Sequence, residues 1–256
     1  MMVYTLARNV EVSLAPLKAI FLDMGDTLAY QSPAGHRILR RLLRQRGISV
    51  SEADVHRARL AANSRYYVLA LARPRLGIAQ EKDALVDEFD RTLLTSLGLG
   101  GRPDLTVADV QAAFRSISRR FVLFPDVRPT LRALRARGLR LAVVSNWDHD
   151  LVHRCRELGL IEQLDAVVGS ATVRAEKPDP SIFDRALDRL GLSPDEVWHV
   201  GDLYLADVLG ARAAGITPVL LDRYDIVTEL DCRRIRSLRE LTPLVDEELA
   251  SDRVAA

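Results

Sequence analysis

An apolar run from Leu17 to Leu22 ends abruptly in the carboxylate of Asp23, and Gly25 follows two positions later. A short continuous apolar run that stops at a turn residue is typical of a buried strand, and glycine tolerates tight backbone geometry. In open α/β sheets, ligands bind at the carboxyl ends of the parallel strands. The pattern predicts a strand that delivers Asp23 to that edge, although an aspartate near a glycine is also common as a simple turn residue.

The chain from Ser32 to about Arg120 has apolar residues at helical spacing with charges between them, and no strand is predicted there. Ser51 before Asp54 and Thr106 before Asp109 have the pattern of helix N-caps with an acidic first turn. The predicted helices are Gly35–Arg46, Ser51–Leu71, Gln80–Leu97 and Thr106–Arg119, with breaks at Pro74, at Gly77 and over residues 98–103. We therefore expect a helical domain over residues 32–120, inserted into a core formed by residues 1–31 and 121–256.

Helices and strands alternate after Phe124 and Pro125. The predicted helices are Asp126–Arg137, Asp148–Leu158, Ser181–Leu190, Ala206–Ala214 and Thr242–Leu249. The predicted strands are Leu139–Val144, Ala166–Val168, Val197–Val200 and Thr217–Leu221. Short loops between alternating strands and helices indicate an α/β fold with a doubly wound parallel sheet. Residues 1–16 carry no clear pattern and are expected to form a loose arm or an extra edge strand.

Composition narrows the class of protein without naming a reaction. The net charge of +1 gives no indication of a nucleic acid or membrane partner. Two cysteines cannot build a disulfide framework or a cysteine-based zinc site. The chain has no long apolar run that could span a bilayer, and its N-terminus lacks the apolar segment of a secretory signal. We expect a cytoplasmic protein that is a monomer or homodimer.

Four stretches at predicted strand ends or loops converge on one edge of such a sheet. They are Phe21-Leu22-Asp23-Met24-Gly25-Asp26-Thr27-Leu28, Val143-Val144-Ser145-Asn146, Lys177-Pro178-Asp179-Pro180, and His199-Val200-Gly201-Asp202 continuing to Asp207. Their order and spacing over about Leu17 to Leu221 resemble the haloacid dehalogenase-like hydrolase superfamily, whose members are mostly Mg²⁺-dependent phosphatases. The helical insertion stands where that family has its type-1 cap. The resemblance implies a Rossmann-like core and hydrolysis of a small phosphorylated metabolite.

The resemblance also assigns roles to residues. Asp23 matches the nucleophile, which attacks phosphorus and forms an aspartyl phosphate. Ser145, Asn146 and Thr27 match positions that hold the phosphoryl group, and Lys177 matches the cation that offsets its charge. The Mg²⁺ ligands implied are Asp23, the backbone carbonyl of Gly25, and Asp202, with Asp207 beside them through water or as an orienting acceptor.

One position departs from the family's phosphatases, which carry a second aspartate two residues after the nucleophile. Gly25 stands at that position here. The general acid–base catalysis that the second aspartate supplies typically raises the rate by about 10²–10⁴-fold. Asp26 is one position further on and could replace the missing acid only if the turn were reshaped, because adjacent side chains point in different directions. Haloacid dehalogenases also lack that second aspartate, because a halide leaves without a proton, but their fourth motif usually lacks the metal aspartate that is kept here. A metal-binding scaffold without turnover is the third alternative.

For several other polar and aromatic residues near these motifs, the sequence gives weaker evidence of a functional role. His149 and His153 have helical spacing, but a pair without a third ligand is more typical of a polar surface. His199 is expected to be a core histidine, and Trp147 to line or plug the pocket mouth. Candidates for substrate choice in or near the helical insertion are Tyr30, His36, Arg65, Tyr66 and Tyr67.

Overall fold

A six-stranded parallel sheet lies at the centre of the computed structural model, which describes residues 15–72, 79–228 and 230–255. The strands are β1 (Ala19–Leu22), β2 (Ala29–Ser32), β3 (Arg120–Leu123), β4 (Arg140–Ser145), β5 (Ala166–Gly169), β6 (Val197–Gly201), β7 (Thr217–Leu221) and β8 (Arg233–Ile235). The sheet order is β5-β4-β1-β6-β7-β8, and every pairing in it is parallel. The predicted α/β class and doubly wound sheet are confirmed.

Ten helices accompany these strands within the described residues. They are α1 (Gly35–Gln45), α2 (Glu52–Ala72), α3 (Ala79–Ser96), α4 (Val107–Arg115), α5 (Val127–Ala136), α6 (Leu151–Glu157), α7 (Ser170–Val173), α8 (Ser181–Leu190), α9 (Leu209–Ala213) and α10 (Leu241–Ala255). Most predicted elements end within three residues of the observed ones. Thr106 caps α4 through a reciprocal pair with Asp109, and the Ser51 hydroxyl accepts a hydrogen bond from the Asp54 backbone N–H, as predicted.

Strand β1 is buried on both faces and divides two apolar clusters. Ile20 and Leu22 pack with the side chains of α5 and α10, whereas Ala19 and Phe21 pack with those of α8. Burying one large apolar side chain contributes about 1.5–3 kcal/mol. This two-sided packing fixes the strand that positions Asp23.

The register of β1 aligns three strand ends. Leu22 pairs with Val143 of β4 on one side and with Val200 of β6 on the other. The backbone N–H of Asp23 continues the ladder by donating to the Val200 carbonyl at 2.9 Å. Residues that follow β1, β4 and β6 are therefore neighbours at the same edge.

Helices α1 to α4 form the inserted block and have an apolar core of their own, in which Leu39, Leu43, Val55 and Val110 are buried. A two-stranded antiparallel ribbon of β2 and β3 borders the block, with Ala29 opposite Leu123. The ribbon was not predicted. Its strands have only four residues each, of mixed polarity and only partly buried, so neither gives a period-two signal.

Other differences are local. Strand β8 was missed because its Arg233-Arg234-Ile235 sequence is short and mostly charged. The predicted helix Ala206–Ala214 is preceded by a single π turn over Tyr204–Val208. The interpretation of residues 1–14 and the breaks at Pro74 and Gly77 fall outside the described residues. Across the three described ranges, none of the helices has the length and apolar character needed to cross a lipid bilayer.

Candidate active site

The candidate site lies where β1, β4 and β6 end. Asp23 follows β1, Ser145 is the last residue of β4, and Asp202 follows β6. The first two are almost completely buried. Burial raises the pKa of Asp23, against the charge of Lys177 and a hydrogen bond from Ser145.

Lys177 reaches this edge from the loop before α8. Its Nζ donates to Asp23 Oδ1 and to Asp207 Oδ1, each at 2.5 Å, and the residue is only 3% exposed. A buried ammonium group is tolerated only when it is paired. Burial opposes the charged form, but the two carboxylates prevail and raise the pKa of Lys177.

The Asn146 side chain holds the Lys177 backbone. Its Oδ1 accepts from the Lys177 N–H at 2.7 Å, and its Nδ2 donates to the Lys177 carbonyl at 2.9 Å. Both ends of the amide are used, so the loop that carries Lys177 is fixed against the end of β4.

Asp207 is held from several directions. Oδ1 also accepts a hydrogen bond from His199 Nε2 at 2.9 Å, and Oδ2 accepts from the Leu203 N–H at 2.9 Å. Burial would raise the pKa of Asp207, but the Lys177 charge and the His199 hydrogen bond lower it. His199 is fully buried, as expected for a core histidine, and its contact with Asp207 was not predicted.

Asp202 is the least satisfied acid in the cluster. The Thr27 hydroxyl lies 3.4 Å from its Oδ1. Burial, together with the charges of Asp26, Asp23 and Asp207, raises its pKa well above the ordinary value. The charges of neighbouring carboxylates thus act on Asp202, and carboxylate oxygens are the donors that Mg²⁺ prefers. These residues therefore fit a hard divalent cation.

Gly25 faces Trp147. A Cβ atom built on Gly25 would meet Trp147 Cζ3 at 3.8 Å, an ordinary van der Waals contact. The indole N–H donates to Asp150 Oδ1 at 2.9 Å, and the ring packs on Phe121 with centroids 5.0 Å apart. The backbone at Gly25 therefore accepts a side chain.

Asp26 has a left-handed backbone (φ 54°) and accepts a hydrogen bond from Arg59 of α2 at 2.8 Å. This ion pair joins the inserted helices to the loop that follows Asp23. Arg59 therefore engages the Asp26 carboxylate as an ion-pair partner. No periodic signal in α2 distinguishes Arg59 from the other arginines of that helix.

Two cavities lie between the inserted helices and the sheet. One of about 800 Å³ is lined by Gly25, Asp26 and Arg59, and also by Tyr30 and His36. A second of about 500 Å³ is lined by Tyr66, Tyr67, Asn146 and Trp147. The Tyr67 hydroxyl lies 3.4 Å from Asn146 Nδ2. Trp147 therefore lines the second cavity beside Asn146.

Three of the weaker candidates lie elsewhere. Arg65 pairs with Glu88 at 3.2 Å on the surface of the inserted helices. His149 is exposed, and the exposed His153 pairs with Glu157 at 3.1 Å. The structure does not bring the two histidines to the carboxylate cluster described above.

Comparison with known proteins identifies the family. A sequence model described as haloacid dehalogenase-like hydrolase matches residues 17–215. The chain belongs to this family of hydrolases, and its sheet and strand-end carboxylates agree with that assignment.

Curated relatives cover most of the chain. A haloacid dehalogenase-like hydrolase domain-containing protein 3 of Danio rerio is 34% identical over 218 residues, which is 82% of this chain and 87% of the relative. The phosphoserine phosphatase of Thermus thermophilus is 32% identical over 228 residues, 81% of this chain and 89% of its own. The glyceraldehyde 3-phosphate phosphatase of Methanopyrus kandleri is 31% identical over 208 residues, 81% of this chain and 84% of its own.

Solved structures share the fold. An L-2-haloacid dehalogenase superposes with a TM-score of 0.63 at 21% identity, over 91% of this chain and 100% of the other. A magnesium-bound putative hydrolase, YfnB of Bacillus subtilis, gives 0.60 at 18% identity, over 91% and 100%. At these identities the likeness concerns the fold alone.

Proposed function

We propose that this hydrolase is a Mg²⁺-dependent phosphatase that acts on a small phosphorylated metabolite through an aspartyl phosphate on Asp23. The observation that carries the proposal is the position of Lys177 Nζ, 2.5 Å from both Asp23 and Asp207 and beside Asp202. A buried cation next to a nucleophilic carboxylate suits the transfer of a dianionic group. Two relatives that are named as phosphatases support the same reaction class.

The proposed first step forms a bond between a carboxylate oxygen of Asp23 and phosphorus while the ester P–O bond breaks, and the leaving oxygen takes its proton from water. Lys177 already binds Oδ1 of Asp23, so we assign the attack to the other oxygen. The Ser145 hydroxyl, the Asn146 backbone N–H and the Thr27 hydroxyl are assigned to the phosphoryl oxygens. Fixed donors of this kind stabilise charge as it develops. Water then cleaves the aspartyl phosphate and releases inorganic phosphate.

We assign the metal to Asp23, the Gly25 carbonyl and Asp202, with Asp207 beside them as the acceptor that orients Lys177. When bound, Mg²⁺ would offset phosphate charge and hold the phosphoryl group in line for attack. Asp207 accepts hydrogen bonds through both oxygens, which supports its orienting role.

We further propose that residues 32–120 act as a cap over the core formed by residues 1–31 and 121–256. The 800 Å³ cavity between them has the size of a small-metabolite site. Closure of a cap would exclude water until the aspartyl phosphate has formed.

Both cysteines are free, which supports a reducing, cytoplasmic location.

The test is phosphate release from an activated aryl phosphate, with Mg²⁺ and with EDTA. We expect release only with Mg²⁺, none from Asp23→Asn, and a raised Mg²⁺ requirement in Asp202→Asn. Asp188→Asn, an exposed substitution on α8, is the matched control and should behave as wild type. Retained turnover in Asp23→Asn would refute the assigned nucleophile.

Gly25 favours a second candidate, a 2-haloacid dehalogenase. A departing halide needs no proton, so this reaction does not need an acid at position 25. Halide release from a 2-haloacid without added Mg²⁺, combined with no phosphate release from any aryl ester, would support the dehalogenase over the phosphatase. If neither reaction is detected although Mg²⁺ binds, the protein is a binding scaffold with the same fold.

A further inference from the structure

Three side chains with metal-binding chemistry meet away from the strand ends, where α1 and α2 pack together. His36 is in the first turn of α1, and Glu52 and His56 are one turn apart on α2. One potential ligand atom from each residue lies within 4.8 Å of the other two. Residues at i and i+4 share one face of a helix, a spacing that zinc-binding helices use.

The distances suit a small ion. Glu52 Oε1 lies 3.3 Å from His36 Nε2 and 3.7 Å from His56 Nε2. Ligands about 2.0–2.1 Å from a tetrahedral Zn²⁺ are separated from one another by roughly 3.3–3.4 Å. The two glutamate–histidine separations are thus close to those of two ligands on one ion, and all three ligand atoms lie within 4.8 Å of one another.

The histidine nitrogens otherwise lack partners. Side-chain exposure is 7% for His36 and 3% for His56. Neither ring nitrogen of His36, nor Nε2 of His56, has a hydrogen-bond partner in the described part of the chain. A buried polar group without a partner is unfavourable, and a bound cation would supply the missing partner.

The surroundings keep both rings in the form that binds metals. Burial lowers the pKa of His36 against the opposing charge of Glu52, and nearby arginines lower it further. Burial also lowers the pKa of His56, to about 4. Both imidazoles are therefore neutral near pH 7, as ligation requires. The half-exposed Glu52 supplies a negative charge and a route from solvent.

We propose that His36, Glu52 and His56 form a Zn²⁺ site distinct from the proposed Mg²⁺ site. The donor sets differ, because imidazole nitrogens suit Zn²⁺ whereas the strand-end oxygens suit Mg²⁺. The ion would cross-link α1 and α2. It would also steady the His56 ring that stacks on Tyr224 of the core, with centroids 3.4 Å apart. This site therefore stiffens the wall of the larger cavity, which both His36 and Tyr224 line.

The first experiment is calorimetric titration of the metal-free full chain with Zn²⁺ in excess Mg²⁺, which keeps the carboxylate cluster occupied. We expect one Zn²⁺ per chain. His36→Gln and His56→Gln should each weaken binding by at least about 10–100-fold. His153→Gln is the matched control, because its exposed ring also pairs with a glutamate four residues away, and it should bind as wild type does.

Substitution with Co²⁺ gives a second signal, since tetrahedral Co²⁺ absorbs visible light much more strongly than octahedral Co²⁺. We expect strong bands in wild type and in His153→Gln but not in His36→Gln. Circular dichroism in EDTA shows whether each variant is folded. The proposal would be overturned if wild type does not bind Zn²⁺. It would also be overturned if folded His36→Gln and His56→Gln bind Zn²⁺ as tightly as wild type.

Discussion

Arg59 of α2 donates a hydrogen bond to Asp26 at 2.8 Å, across the boundary between the inserted helices and the sheet. Both side chains are about 30% exposed, so the pair is expected to add only about 0–1 kcal/mol to stability. We expect its larger effect to be on the position of the inserted helices, since Asp26 is three residues after Asp23, the proposed nucleophile.

We expect Arg59→Ala to lower kcat/KM for an aryl phosphate by about 10- to 100-fold, because the inserted helices α1 to α4 would be misplaced relative to the site. Little change in Tm is expected. Arg57→Ala, on the same helix but paired locally with Asp54, is the control and should keep wild-type kinetics. Equal kinetics for both variants would show that the Arg59–Asp26 pair does not position the site.

Gly25→Asp tests the missing acid. The contact of 3.8 Å to Trp147 leaves room for a Cβ. If the new carboxyl protonates the leaving group, turnover of an alkyl phosphate should rise, by up to about 10²–10⁴-fold. An activated aryl phosphate needs no proton on leaving and should gain little. Gly25→Asn matches the size without the acid, so a similar gain in both variants would contradict this explanation.

Gly201→Ala tests how closely the end of β6 approaches Asp207. A Cβ at Gly201 would lie 2.1 Å from Asp207 Cγ, so Asp207 must move and release its contact with Lys177. We expect a loss of at least about 100-fold in kcat and about 1–3 kcal/mol in the free energy of unfolding from overpacking. Urea titration and steady-state kinetics measure both. Gly25→Ala, whose Cβ has space, should be as stable as wild type.

Asp126 forms a buried cluster at the start of α5. It accepts hydrogen bonds from Arg223 at 2.8 Å, from the Ser237 hydroxyl at 2.8 Å and from the Leu238 N–H at 2.9 Å. Burial raises the pKa of Asp126, but the hydrogen bonds and charge of Arg223 outweigh it and lower the pKa below the ordinary value. As the pH falls, the unfolded chain is protonated first, so this stabilisation is present above about pH 4 and is lost through the lowered pKa.

We expect Asp126→Asn to cost about 3–5 kcal/mol at pH 7, because Arg223 is left buried without its anion. The difference from wild type should shrink as the pH falls below about 4. Urea titrations at several pH values measure it. Asp246→Asn breaks an exposed pair with Arg137 and should change little at any pH. A pH-independent difference for Asp126→Asn would exclude ionisation as the cause.

Strand ends were predictable because the buried strands are short apolar runs, and an apolar run stops where a polar residue begins. Asp23, Ser145 and Asp202 were located in this way, and the parallel sheet brings them together. Lys177 lies in a loop without periodicity, and only the joint pattern of motifs pointed to it. Its contacts with Asp23 and Asp207 span 154 and 30 residues of sequence.

What the sequence did not indicate depends on long-range packing. The Arg59–Asp26 pair and the His199–Asp207 contact depend on how separate elements approach each other, which local patterns do not encode. His36 was considered only for substrate choice, because its neighbours Glu52 and His56 belong to another helix. The β2–β3 ribbon and β8 were missed since three or four residues are too few to show alternation.

The β2–β3 ribbon has a consequence for how such proteins diversify. Ser32 and Arg120 are directly paired, so the 87 residues between them leave and rejoin the core at a single point. An exchange of that segment would require only one compatible pair of ends, while Asp23 and Lys177 stay in place. We expect chimaeras with a relative's segment to keep the reaction and change the substrate. Recombination at this ribbon is thus a route by which one chemical centre acquires new specificities.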